Sequence, residues 1–259
     1  MSHPLPHTLE RTVRIHAAPA TVFSYFTDTA RWASWWGAGS TVDPIPGGKI
    51  VIRYPGGIEV AGKVVEIVPS SRFTFTYGYR SGDPFPPGSS LVTIELQEAP
   101  DGTVLHLTHA FAETAARDHH VQGWRYQMAV FANVVTDHLF HDAAERIDAW
   151  FAAWSEPDAA ARERLLDGAV VDGVLFRDRF SLVEGRADLD PHLAAVHQFM
   201  PGMTLTRQGM VRHCQATVLA DWVAAGPDGA EQGRGTNVFG FAPSGMIESV
   251  IGFWETGRV

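Results

Sequence analysis

Residues 27–39 read TDTARWASWWGAG and crowd Trp32, Trp35 and Trp36 into one short stretch. A turn of helix buries at most one face of such a segment. It therefore either caps a core or lines the mouth of a space that holds an apolar guest. Further on, strand alternation puts Phe73, Phe75, Tyr77 and Tyr79 on one face, and Leu105, Leu107 and His109 on one face of another strand. Such walls serve a plain core as well as a pocket. What interrupts them is polar: Arg53, Glu59, Tyr77, Tyr79 and His109 could orient a ligand that is mostly apolar with one polar or acidic end. His109 taken alone also reads as a satisfied structural histidine. In the second half, Asp178 stands between Arg177 and Arg179, which on a strand point to the opposite face. It is either a surface ion-pair partner or a carboxylate that faces inward.

Other titratable residues carry less. His192 and His197 are five apart, a poor match to one helical face, and His138, His141 and Asp142 are too few for a metal. No metal and no cofactor is expected: phosphate-loop, serine-hydrolase, zincin and dinucleotide fingerprints have no counterpart in the chain. The one cysteine, Cys214, excludes an intrachain disulfide and reads as a small core residue on a strand.

These residues sit in a chain of 259, 45% apolar and 19% charged, enough for one large or two ordinary cores. The net charge of -9 is uneven, -3 over residues 1–142 and -6 over 143–259, and neither half holds the basic patch that nucleic acid requires. No segment approaches the roughly 20 apolar residues that span a bilayer, and the first residues lack a signal-peptide core, so a cytoplasmic protein without membrane insertion is expected.

The elements that must position the candidates follow from periodicity. A strand at 8–15 is followed by a helical stretch opened by Pro19, and then by alternating runs at 47–54, 58–68, 72–79, 90–96 and 103–111, an antiparallel meander. Val121, Trp124, Met128, Phe131, Val135 and Leu139 recur at threes and fours, giving a long helix. Asp142-Ala-Ala-Glu145 has the form of a capping box that starts the next helix, whose apolar face is Ile147, Trp150, Phe151 and Trp154. A short helix at 158–166, a strand at 173–176, a helix near 188–199 and four strand-like runs complete the chain.

The order of these elements, with GGKIVIRY, VAGKVVEIVPSSRFTFTY, LVTIEL, LHLTHAF and the Gly123-Trp124 pair, resembles the START-like or SRPBCC superfamily over residues 8–140. The branch it is most similar to is that of the activator of the heat-shock-protein ATPase. Helices first and a sheet after, with PGM at 201–203 and SGMI at 244–247, makes residues 143–256 resemble the nuclear-transport-factor-2-like superfamily, including SnoaL-like polyketide cyclases. The resemblances imply an α+β protein of two domains. Residues 1–142 would form a helix-grip domain, a curved antiparallel sheet on a long terminal helix, and residues 143–259 a cone-shaped α+β domain.

For the first domain the resemblance implies a cavity between sheet and helix, with Trp32, Trp35 and Trp36 at its rim and Trp124 and Met128 closing it. For the second it implies a pocket in which Asp178 takes the place of a general base acting on a proton next to a carbonyl. The donor positions depart from the family pattern, with Trp150 in place of a tyrosine and Asn237 in place of an acid; His192 and Trp222 are further pocket candidates. The first reading is a two-domain protein that binds a small apolar or amphipathic ligand. The alternative is an enzyme of the cyclase, dehydratase or isomerase type using Asp178 and Asn237, and a third is a co-chaperone-like stress-response protein. A homodimer through the second domain is a further expectation of the resemblance.

Overall fold

Thirteen strands and six helices follow one another among residues 4–255, which are those described in this computed structural model. The first three and last four positions of the expected domains lie outside them. The chain divides into two compact units between Thr136 and Asp137. None of its described helices is long and apolar enough to cross a membrane.

In the first unit, β1 (His7–Ile15) leads to α1 (Pro19–Thr27) and α2 (Thr29–Trp36). Pro19 opens α1 at the position where its missing N–H is no loss. Asp28 starts α2 by accepting the backbone N–H of Arg31 at 2.8 Å. Then come β2 (Thr41–Val42), β3 (Lys49–Arg53), β4 (Glu59–Val68), β5 (Arg72–Tyr77), β6 (Ser90–Ala99), β7 (Gly102–Phe111) and α3 (Thr114–Leu139). The sheet runs β1-β7-β6-β5-β4-β3-β2, with every pairing antiparallel. Close approaches of backbone require glycine at several positions in this unit: a Cβ at Gly62 would stand 1.7 Å from the carbonyl oxygen of Thr76, and one at Gly102 2.3 Å from that of Ile15.

The second unit holds α4 (Ala143–Ser155), α5 (Ala159–Asp167), β8 (Val170–Arg177), β9 (Leu182–Glu184), α6 (Arg186–Phe199), β10 (Thr204–Cys214), β11 (Thr217–Ala225), β12 (Glu231–Phe241) and β13 (Ile247–Trp254). Its sheet order is β10-β11-β12-β13-β8-β9, with β8 and β13 parallel. Ile147, Trp150 and Phe151 of α4 are buried in one core with Val174, Phe176, Leu189, Leu193 and Phe239.

Three expectations are corrected, and one open alternative is narrowed. Among the described residues both sheets are open, ending in strands paired on one side only, β1 and β2 in one and β10 and β9 in the other. The α+β class stands, but the curved helix-grip sheet and the cone are replaced by two open sheets. Alternation dictates which face of a strand is buried, whereas curvature and closure depend on how edges meet, which no local pattern encodes. Asp142 does not cap α4 with its side chain; its carboxylate takes Arg146 at 2.7 Å instead, a stronger, charged donor one turn on. Cys214 lies on β10 but is exposed, because β10 is an edge strand. Asp178, finally, makes no ion pair with the arginines beside it, and its partners are described below.

Candidate functional site

Two clefts collect most of the candidates. The first, of about 340 Å³, lies in the first unit and is lined by Trp36, Tyr54, Tyr77, Tyr79, His120 and Trp124 among others. Its polar groups form two chains whose proton positions follow from chemistry. An indole N–H only donates, so Trp124 Nε1 at 2.9 Å makes His109 Nδ1 an acceptor. His109 Nε2 then carries the proton and donates to Ser90 Oγ at 2.8 Å, and Ser90 donates on to the Tyr77 carbonyl at 2.9 Å. In the second chain, His120 Nδ1 donates to the Ala116 carbonyl at 2.7 Å, so its Nε2 accepts from the Tyr79 hydroxyl at 3.0 Å.

Burial sets the charge of these groups. It pushes His109 well below the ordinary histidine value, helped by His120 nearby, and lowers His120 as well. Tyr77 and Tyr54, their hydroxyls 3.3 Å apart, are pushed upward by the same desolvation. The two buried imidazoles and the two phenols are therefore neutral at neutral pH. One donor is unused: Trp36 Nε1 is buried and has no hydrogen-bond partner.

Of the three clustered tryptophans, Trp36 lines this cleft. Trp32 and Trp35 pack inward, donating to the carbonyls of Val51 at 3.3 Å and Tyr25 at 3.2 Å. Tyr77, Tyr79 and Trp124 reach the cleft, while His109 stands behind Trp124 at full burial and Met128 is core. Arg53 and Glu59 are elsewhere, in an ion-pair network with Arg80. Sequence reasoning missed Tyr54, His120 and Gln127. The i, i+4 spacing of His120 to Trp124 was the signal available for the histidine.

The second cleft, a slot of about 50 Å³ in the second unit, brings Asp178, Asn237, Trp150 and Trp222 together with Trp154, Gly252 and Trp254. Asp178 follows the last residue of β8. Its Oδ1 accepts the Phe180 backbone N–H at 2.8 Å and its Oδ2 accepts Trp254 Nε1 at 3.0 Å. These two bonds hold the carboxylate and leave further lone pairs open. Asn237 lines the slot, and its Oδ1 accepts Trp222 Nε1 at 2.9 Å, which fixes the amide orientation. Asn237 pairs with Gly252 across β12 and β13, and a Cβ there would lie 3.1 Å from the Asp178 Cβ and 3.2 Å from Asn237 Oδ1. The missing side chain is what lets the acid and the amide share one space.

Two more donors belong to this slot. Trp150 Nε1 and Trp154 Nε1 are buried without hydrogen-bond partners, a costly state for an indole N–H. His192 backs the slot, its ring 5.6 Å from that of Trp154 and 6.2 Å from that of Phe176. Trp154, Gly252 and Trp254 were not foreseen as site residues. Register across β12 and β13 places Gly252, and no spacing in the sequence reveals it. Among the described residues, no group of three or more His, Cys, Asp or Glu is arranged to hold a metal ion.

No curated protein matches the chain. Among solved structures, a SnoaL-like family protein from Agrobacterium tumefaciens aligns with 44% of this chain and 97% of its own, at 25% identity and a TM-score of 0.42. The Aha1 dimer from Colwellia psychrerythraea aligns with 50% of this chain and 96% of its own, at 17% identity and 0.44. CalU16 from Micromonospora echinospora aligns with 56% and 85%, at 24% identity and 0.40. Over residues 16–136 the chain matches the family described as activator of Hsp90 ATPase homolog 1-like protein, so its N-terminal region carries that likeness.

Proposed function

We propose that the Asp178 slot is a proton-transfer site of the cyclase, dehydratase or isomerase type. The observation that carries this is the meeting, in one mostly apolar slot, of a held carboxylate with N–H donors that no protein group uses. In this reading the Asp178 carboxylate takes a proton from a carbon next to a carbonyl. The C–H electron pair becomes the new C=C bond and the carbonyl π pair moves onto oxygen. The amide of Asn237 and the indoles of Trp150 and Trp154 then hydrogen-bond the enolate oxygen, each worth about 2.7–4 kcal/mol where it is well aimed. Asp178 returns the proton to another carbon of the conjugated system or leaves it for a departing hydroxyl. The test is deuterium uptake at the methyl group of 6-acetyl-2-naphthamide in D₂O, followed by proton NMR. Protein-dependent exchange that falls about 10²–10⁴-fold in Asp178→Asn supports the base; exchange unchanged in that variant removes it.

A second reading has its own observation. The 340 Å³ cleft of the first unit, mostly aromatic and with Trp36 Nε1 unpartnered, suits a small apolar ligand carrying one acceptor. Titration with 1-naphthaldehyde, followed by quenching of tryptophan fluorescence, tests it. Quenching that survives Trp36→Phe and Tyr77→Leu together would locate any binding elsewhere.

A further inference from the structure

Asp178 has a second side. Besides the inner slot, it lines an outer groove of about 360 Å³ together with Arg177, Arg179, Ile251, Gly252, Phe253 and Trp254. The groove exists because the parallel pairing of β8 with β13 ends at Arg177 opposite Ile251, so the chains part just where Asp178 begins. Three residues, Asp178, Gly252 and Trp254, line slot and groove alike. They mark the place where the two meet, and Gly252 contributes no side chain to block it. The groove side differs in chemistry from the slot. Arg177 and Arg179 are exposed there with no carboxylate partner among the described residues, although six of the seven other described arginines of the second unit pair with an acid. Arg179 instead lies over the Phe180 ring at 5.0 Å, and Phe180 meets Trp254 edge to face at 5.5 Å. Phe180 and Phe253 are both more than half exposed.

We infer that the substrate of the Asp178 site is an aromatic or otherwise apolar carbonyl compound bearing an anionic group at its far end. The carbonyl end passes Gly252 into the slot, the apolar middle lies along Trp254, Phe180 and Phe253, and the carboxylate, phosphate or sulfate rests on Arg177 and Arg179. The slot is too small for more than the reacting end, which is why the rest must lie in the groove. A chain of net charge -9 repels anions in general, so two unpaired guanidiniums at one groove are a local exception with a use. The assignment deepens the proton-transfer reading and rests on it for the role of Asp178, but the binding geometry is tested separately.

The probe pair is 6-acetyl-2-naphthoate and its carboxamide, which differ in charge and hardly in shape, titrated by calorimetry at low salt. The carboxylate is expected to bind about tenfold or more tighter than the amide, a preference that Arg177→Gln/Arg179→Gln removes while leaving amide binding within about twofold. The preference should also fade as salt rises. Gly252→Val should weaken both probes alike by narrowing the passage, with its thermal melt compared to that of the parent chain to register any loss of folding. Equal affinity for the two probes, a preference that survives in the double arginine variant, or no binding of either probe overturns the inference. Arginine-dependent binding without deuterium exchange would leave the anion site standing and remove the catalytic role of Asp178. Exchange of the amide without preference for the carboxylate would do the reverse.

Discussion

Trp36 and Trp124 line the same cleft, are buried to 3% and 4% exposure, and touch ring to ring at 5.6 Å, yet their indole N–H groups are in opposite states. That of Trp124 supplies His109 Nδ1, while that of Trp36 supplies nothing. Replacing each by Phe removes the same atoms and a similar volume, so the packing losses largely cancel in the comparison. The polar terms do not. Trp124→Phe strands a buried imidazole acceptor, which costs about 1–3 kcal/mol, and Trp36→Phe deletes an unsatisfied donor whose burial already costs about as much. The two variants should thus differ by about 2–6 kcal/mol, with Trp124→Phe the weaker. With a urea slope of about 2 kcal/mol/M, the midpoints of the transition they affect should lie roughly 1–3 M apart. Far-UV circular dichroism is the proper readout, because the substitutions alter tryptophan fluorescence directly. Coincident midpoints would refute the hydrogen-bond assignment of His109 and the tautomers derived from it.

Gly62→Ala puts a Cβ 1.7 Å from the Thr76 carbonyl oxygen and should cost more than about 4 kcal/mol, whereas Gly123→Ala on α3 meets nothing within 4 Å and should gain about 0.5–1 kcal/mol; thermal melts of both variants check this. Because burial lowers His109 in the folded state, the unfolded chain binds the proton first as pH falls. Stability is therefore lost below about pH 6.5 and down to the folded value, by at most about 1.4 kcal/mol per pH unit from this group. Urea midpoints between pH 7.5 and 5 should fall less steeply in His109→Gln, which keeps one donor and one acceptor but does not titrate. In the second unit, Arg162 is buried and bound to Asp190 at 3.0 Å and to the carbonyls of Glu156 and Pro157 at 3.1 and 2.9 Å. Asp190 is 45% exposed and regains water when Arg162 is lost, so Arg162→Leu should cost about 1–3 kcal/mol in a urea titration, mainly from the two carbonyls left without their donor.

The strands and helices of both halves were legible in periodicity, because a residue's burial along a strand or helix repeats at a spacing of two or near four. The runs at 58–68, 72–79, 90–96 and 103–111 became β4 to β7, and the stripe from Val121 to Leu139 became the face of α3. β9, three residues long, was too short to show a period. So was the slot. That Asp178 shares a space with Asn237, 59 positions away, follows from the pairing of β13 with both β12 and β8 and from the bare Cα of Gly252. The cluster of Trp32, Trp35 and Trp36 announced a crowded apolar place but not which ring would face the cleft, because three indoles on two turns point in different directions and only their neighbours assign them. Hydrogen-bond partners and sheet closure are long-range properties of the same kind. Sequence by itself determines local conformation and which face seeks burial, and only the tertiary structure decides which faces meet and which donors are left unpaired.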